Sequence, residues 1–228
     1  MPVAIVTGAS RGLGLAIAHG LAADQWRLVV DARCADALTE AAESLPGKVI
    51  ALPGDVTDPA HRAALVVAAD RLGGATLVVN NAGILGPSPL PRLADYPLEG
   101  LRQVLEANLI APLGILQWAL PGLRERGGAV VNITSDAAVE GYEGWGGYGA
   151  AKAAVEQASR VLAAEEPDVR VWWVDPGDLR TQMHQDAFPG EDIGDRQLPE
   201  AVVPAFLHLV RTRPESGRVR LADLAVPA

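Results

Sequence analysis

The chain has 228 residues, 49% of them hydrophobic, with 19 basic against 28 acidic side chains and a net charge of −9. That length fits one α/β domain over residues 1–228 with a continuous core, and the acidic balance argues against nucleic acid as a partner. Its apolar runs are only about 5–8 residues long, so no membrane span is expected; the lone Cys34 and the absence of a leader-like start fit a reducing, cytoplasmic setting.

In chain order, strands are expected at Val3–Thr7, Leu28–Ala32, Val49–Leu52, Leu77–Asn80, Ala129–Thr134, Val169–Val174 and Arg218–Leu221. Helices are expected between them, near Leu13–Asp24, Ala35–Leu45, Pro59–Leu72, Leu98–Leu123, Tyr148–Glu165 and Pro199–Arg211. Such alternation predicts a doubly wound, Rossmann-like fold, a seven-stranded parallel sheet with helices on both faces. Ligands of these sheets bind at the strands' carboxyl ends. The Pro/Gly-rich Gly83–Pro97 and the polar Gln182–Pro199 fall there and read as walls of a site.

The first strand runs into Thr7-Gly8-Ala9-Ser10-Arg11-Gly12-Leu13-Gly14. Pyrophosphate needs backbone N–H donors at close range and gains from a helix N-terminus, and a glycine loop opening a helix supplies both. The spacing is Gly-x-x-x-Gly-x-Gly, and glycines alone would equally suit a tight turn before a helix. The second strand ends Asp31-Ala32-Arg33. An acid at its tip would bind the free ribose hydroxyl of NAD, and a basic residue the phosphate of NADP.

Tyr148 and Lys152 are four apart at the start of a helix, on one face. A phenol can protonate the alkoxide left by hydride transfer to a carbonyl, but its ordinary pKa of about 10 is high. An ammonium about 4 Å away contributes roughly 4 kcal/mol at an effective dielectric of about 20, enough to bring the phenol into range. Ser135 ends the fifth strand and can hold a substrate oxygen beside that phenol. Asn108 precedes Pro112 by four residues. Proline has no N–H to donate to the Asn108 carbonyl, which predicts a kink and a freed carbonyl there.

Taken in order, these pieces resemble the short-chain dehydrogenase/reductase family, in its shorter, single-domain branch. The resemblance rests on the glycine spacing, Asp55-Val56, Asn80-Asn81-Ala82-Gly83, Asn108, Ser135, Tyr148 with Lys152, and Pro176-Gly177 with Thr181. It implies an NAD(P)-dependent oxidoreductase moving a hydride between the nicotinamide and a small carbonyl or alcohol, with Ser135, Tyr148, Lys152 and Asn108 catalytic. The implied cofactor contacts are Gly8, Ser10, Arg11, Gly12, Leu13, Gly14, Arg33, Asp55, Val56, Asn81, Ala82, Gly83, Tyr148, Lys152, Pro176, Gly177 and Thr181, with no metal. Within that set, Asp55 would bond the adenine amino group and Val56 pack on the ring. Thr181 would hold the carboxamide, Lys152 the ribose hydroxyls, and the Asn108 carbonyl a water relaying protons.

By the same resemblance Arg11 and Arg33 mark NADP(H), which is favoured. If the strand register slips by one, Asp31 becomes the ribose ligand and NAD(H) is preferred. Substrate choice would lie in loops near 136–147 and 182–199, where Asp136 stands in place of the small or apolar residue expected after the serine. A homo-oligomer is implied, either dimer or tetramer. The ending Ala225-Val226-Pro227-Ala228 lacks the family's Gly-Gly segment and weighs against the tetramer. Two other classes bear comparison. A non-catalytic NADP-binding sensor of the same fold commonly loses the tyrosine or lysine, and an isomerase or dehydratase of the longer branch needs a larger substrate domain.

Overall fold

The computed structural model describes residues 1–225, so the final Val226-Pro227-Ala228 lies outside the described residues. Seven strands form one parallel sheet: β1 (Val3–Val6), β2 (Arg27–Ala32), β3 (Val49–Pro53), β4 (Leu77–Asn80), β5 (Ala129–Ile133), β6 (Arg170–Asp175) and β7 (Gly217–Arg220). Their order is β3-β2-β1-β4-β5-β6-β7. The chain reverses its direction of travel between β1 and β4, which opens a crevice at their carboxyl ends.

The helices are α1 (Gly12–Ala23), α2 (Ala35–Ser44), α3 (Pro59–Arg71), α4 (Leu98–Leu105), α5 (Ala111–Arg126), α6 (Gly146–Glu165), α7 (Gln182–Ala187) and α8 (Val203–Thr212). Strand alternation divides the core between the two faces. Leu28, Val30 and Val79 point with Ile17, Leu21 and Phe206 to one side. Val29, Val78 and Val130 point with Leu65, Ile115 and Leu123 to the other.

Two expected elements differ in form. The helix expected over Leu98–Leu123 is a continuous helical run to Arg126, long and apolar enough by composition to cross a membrane. Val104, Ala107, Asn108, Ile115 and Leu123 on it are buried in this domain, as in a core helix. At the position of the expected kink, the helix carries a π-helical turn, Glu106–Ile110. The Ala111 N–H reaches back five residues to the Glu106 carbonyl, and Pro112 takes the first turn of α5, where a missing N–H costs least. The Gln182–Pro199 segment, read as a loop, begins with α7. There the Thr181 hydroxyl accepts from the His184 N–H at 3.2 Å, and Gln182 Nε2 donates to Asp186 Oδ1 at 2.8 Å.

Candidate active site

The glycine loop is braced from beneath by residues far away in sequence. Gly8 and Gly12 have φ of +67° and +57°, a region costly for side chains with a Cβ. A Cβ on Gly14 would lie 2.3 Å from the Gly8 carbonyl oxygen, so helix and loop touch backbone to backbone there. The Thr7 hydroxyl accepts from the Asn81 and Ala82 N–H groups, and Asn81 Nδ2 donates to the Thr7 carbonyl at 2.8 Å. The loop after β4 thereby fixes the loop after β1. Arg11 is the N-cap of α1 and supplies no side-chain cap, so the first-turn N–H groups receive no acceptor from it. Thr181 packs over Gly12, with its Cγ2 3.5 Å from where a Cβ would stand.

Asp31 is buried, and both of its oxygens are committed inside the fold. Oδ1 accepts from the Gly8 N–H at 2.8 Å, and Oδ2 meets His61 Nε2 of α3 at 3.0 Å. Its carbonyl also accepts from the Ala9 N–H. Asp31 is therefore a brace of the glycine loop. Arg33 and Arg11 are exposed. Asp55 takes the Thr57 N–H and hydroxyl on Oδ1, at 2.9 and 2.8 Å. Burial alone would raise its pKa, but those hydrogen bonds, with Arg33 and His61 nearby, bring it below the usual carboxylate value.

At the far side of the crevice, β5 delivers Ser135 and α6 delivers Tyr148 and Lys152. Lys152 Nζ donates to the Ile133 carbonyl at 2.8 Å and lies 5.4 Å from the centre of the Tyr148 ring. Gly149 lets α6 approach the short helical turn Asp136–Ala138, since a Cβ there would stand 2.6 Å from the Ala137 carbonyl oxygen. The Ser135 hydroxyl donates to Asp136 Oδ1 at 2.8 Å. The Asn108 side chain holds both polar groups of the Ile84 backbone, at 2.8 and 2.9 Å, which pins the segment following Gly83.

The electrostatics differ from the simple expectation. The Tyr148 phenol is pushed above its ordinary pKa, first by burial and then by the Asp136 and Asp175 carboxylates. Burial lowers the Lys152 pKa to about 8. An ammonium directed at a backbone carbonyl and itself short of solvation does less for the phenol than sequence spacing suggests.

Beneath these groups lies an ionic cluster with no counterpart in the sequence reading. Glu156, one turn after Lys152, accepts from the Thr134 hydroxyl at 3.0 Å, Arg160 at 3.0 Å and Arg218 Nε at 2.9 Å. Arg218, on β7, also donates to Asp175 at 3.1 Å and to the Ser135 carbonyl at 3.3 Å. One guanidinium of β7 thus ties together α6, β6 and the residue that follows β5. Arg218 and Glu156 could have been noticed only as charges in otherwise apolar periods. Among the described residues no group of three or more metal-ligating side chains is gathered.

The family model described as short chain dehydrogenase matches residues 2–192. The chain belongs to the short-chain dehydrogenase family. Serine 3-dehydrogenase of Rhizobium radiobacter is 32% identical to this short-chain dehydrogenase, over 96% of this chain and 92% of that one. L-fucose dehydrogenase of Rattus norvegicus is 35% identical over 81% and 68%. Among solved structures, alcohol dehydrogenase from Thermococcus sibiricus complexed with 5-hydroxy-NADP superposes with a TM-score of 0.87 at 29% identity, covering 96% of this chain and 95% of that one. A short-chain dehydrogenase of Shigella flexneri complexed with NADP gives 0.88 at 26% identity, covering 97% of each. This short-chain dehydrogenase is thus a pyridine nucleotide-dependent oxidoreductase acting on alcohol or carbonyl groups.

Proposed function

We propose that the protein transfers a hydride between NADP(H) and a small carbonyl or alcohol substrate, with Tyr148 as the general acid/base. The observation that carries this reading is the meeting of Lys152 with β5: Nζ is bonded to the Ile133 carbonyl, two residues before Ser135, and lies beside the Tyr148 ring. The crevice fits the nucleotide by its donor set. The first-turn N–H groups of Gly12, Leu13 and Gly14 suit a pyrophosphate, with Gly8 and Ser10 shaping the turn. Asp55 and Val56 suit the adenine, and Asn81, Ala82 and Gly83 line the path from β1 to β4. Pro176, Gly177 and Thr181 close the nicotinamide end. The commitment of both Asp31 oxygens leaves Arg33 and Arg11 to face the ribose, which supports NADP(H) over NAD(H).

When bound, the nucleotide supplies or accepts the hydride. The protein's own part is to hold and protonate. Ser135 holds the substrate oxygen, and Tyr148 gives it a proton in reduction or takes one in oxidation. Lys152 stays close enough to the phenol to favour its ionised form. Asn108 fixes the segment after Gly83, and the widened helical turn around it frees backbone groups for a proton path. Within the domain formed by residues 1–228, the segments 136–147 and 182–199 flank Ser135 and Tyr148 as substrate walls. Exposed Ile110, Leu113 and Trp118, with Val161 of α6, support pairing of two copies along these helices.

The test is NADPH oxidation with a panel of ketones, aldehydes and quinones, using wild type and Tyr148→Phe. The substitution abolishes turnover, a loss of at least about 100-fold, while NADPH affinity stays within a few-fold. Substantial turnover by Tyr148→Phe refutes the acid/base role. Tight NADPH binding without turnover of any carbonyl points to a sensor instead.

A further inference from the structure

Asp136 immediately follows the serine proposed to hold the substrate oxygen, and among the described residues no cationic side chain pairs with it. Its Oδ1 takes the Ser135 hydroxyl at 2.8 Å and the Ala137 N–H at 2.8 Å, and its Oδ2 takes the Tyr142 hydroxyl at 3.0 Å. All three donors are neutral. Among the described residues no Lys, Arg or His forms an ion pair with it, whereas the neighbouring carboxylates Asp175 and Glu156 both pair with Arg218. Glu140 and Asp178 lie close enough to add their charges around the Tyr142 hydroxyl. A half-buried carboxylate held only by neutral donors, with the Arg218 guanidinium committed to the Ser135 carbonyl and to other acids, is open to a cationic partner from the crevice.

Two further features suit this space to a cationic ligand. Tyr148 is only 8% exposed, its phenol makes no hydrogen bond among the described residues, and it feels the charge of Asp136. The wall beside it is aromatic. Trp145 meets the Tyr148 ring edge-on at 5.7 Å, and Phe188 lies 6.0 Å beyond Trp145. Ring faces beside a carboxylate are a favourable setting for an alkylammonium group.

We propose that the substrate is an amino alcohol or amino ketone, with a protonated nitrogen on the carbon next to the reacting one and Asp136 as its counter-ion. This rests on the hydride-transfer reading above. The single Ser135 hydrogen lies on Asp136 Oδ1, and an ammonium that takes that oxygen releases the hydroxyl to donate to the substrate oxygen. With Ser135 Oγ about 2.8 Å from each, the carboxylate is at most about 5.6 Å from the substrate oxygen. A vicinal nitrogen, about 3 Å from that oxygen, falls within hydrogen-bond reach of the carboxylate. The ammonium also offsets a charge that otherwise holds the phenol's proton in place, so the right substrate improves its own proton transfer.

The experiment compares 1-amino-2-propanol with 2-butanol, which replaces the ammonium by a methyl group, as reductants of NADP+ at pH 7.5, where the amine is protonated. The proposal expects wild type to favour the amino alcohol in kcat/KM by about 10- to 100-fold, the range of a charged hydrogen bond. Asp136→Asn, which keeps the side-chain shape, brings that ratio close to one. Equal or better use of 2-butanol by the wild type overturns the proposal without recourse to any variant. An equal loss on both alcohols in Asp136→Asn also overturns it, leaving Asp136 as a support for Ser135. Turnover of neutral carbonyls with no use of the amino alcohol sinks this inference alone. Failure to turn over any carbonyl or alcohol sinks the hydride-transfer reading beneath it.

Discussion

Replacing Arg218 by Met removes the guanidinium that ties β7 to the catalytic edge of the sheet. Glu156, 1% exposed, keeps Thr134 and Arg160, and Asp175, 5% exposed, keeps the Gly177 N–H and a distant Arg220. Breaking a buried ion pair from one side costs about 3–5 kcal/mol, because the partner's charge is left without compensation. The remaining donors put Arg218→Met at the lower end, about 3 kcal/mol, equivalent to a fall of about 6–12 °C in melting temperature for a chain of this length. The Ser135 carbonyl loses a donor as well, and a small shift of that residue is expected to lower kcat by about 3- to 10-fold with the NADPH KM little changed.

The decisive arm is the double variant. Glu156→Gln in the Arg218→Met background removes the stranded charge, so the pair should melt at a higher temperature than Arg218→Met alone. Thermal melts and chemical denaturation of the four proteins in the cycle give the coupling energy directly. A melting temperature within about 2 °C of wild type for Arg218→Met, or additive losses in the double variant, refutes the account of a charge-compensated brace.

Two further outcomes follow from the cofactor crevice and the buried lysine. Arg33→Ala should weaken NADPH binding by at least about 10-fold and NADH binding by about 2-fold or less; equal losses by titration calorimetry count against the phosphate assignment. Lys152, whose pKa is lowered from 10.5 to about 8 by burial, costs the folded state roughly 3 kcal/mol at neutral pH. Between pH 8 and 10 the unfolded chain keeps a proton the folded one has released, so this contribution to stability rises with pH and is most unfavourable below 8. Above pH 10 the raised Tyr148 phenol acts in the opposite sense. Stability curves of wild type and Lys152→Met should therefore keep a constant gap below pH 8 and converge between pH 8 and 10; a pH-independent difference across pH 6 to 10 excludes the buried-charge explanation.

What could be read from the sequence is what a few adjacent residues determine. Val3–Val6 declares itself a buried strand by an uninterrupted apolar run and Ala129–Ile133 by one broken only at Asn132, and Tyr148 with Lys152 declares a shared helical face by spacing alone. Pro112 identifies where the helical ladder must fail, because a missing donor is a local fact. That the failure takes the form of a widened turn depends on what packs around Ala107 and Asn108, which no local pattern contains. The phenol's pKa is a similar case. The ammonium's direction, towards Ile133, and the charges of Asp136 and Asp175 come from separate elements.

The competition between Asp31 and Arg33 shows the same division most sharply. In sequence the two are separated by one residue, and a slip of one position along β2 exchanges their roles. The partners that decide the matter are Gly8 and His61, 23 and 30 residues away. Period-two alternation puts Asp31 on the Val29 side of the sheet, the side that α3 covers, and His61 is the α3 residue that meets it there. An aspartate only 1% exposed, with its oxygens turned to a loop N–H and a buried imidazole, faces into the fold and away from the crevice where a ribose would lie. A substitution there should loosen the glycine loop for either nucleotide, whereas one at Arg33 should discriminate between them.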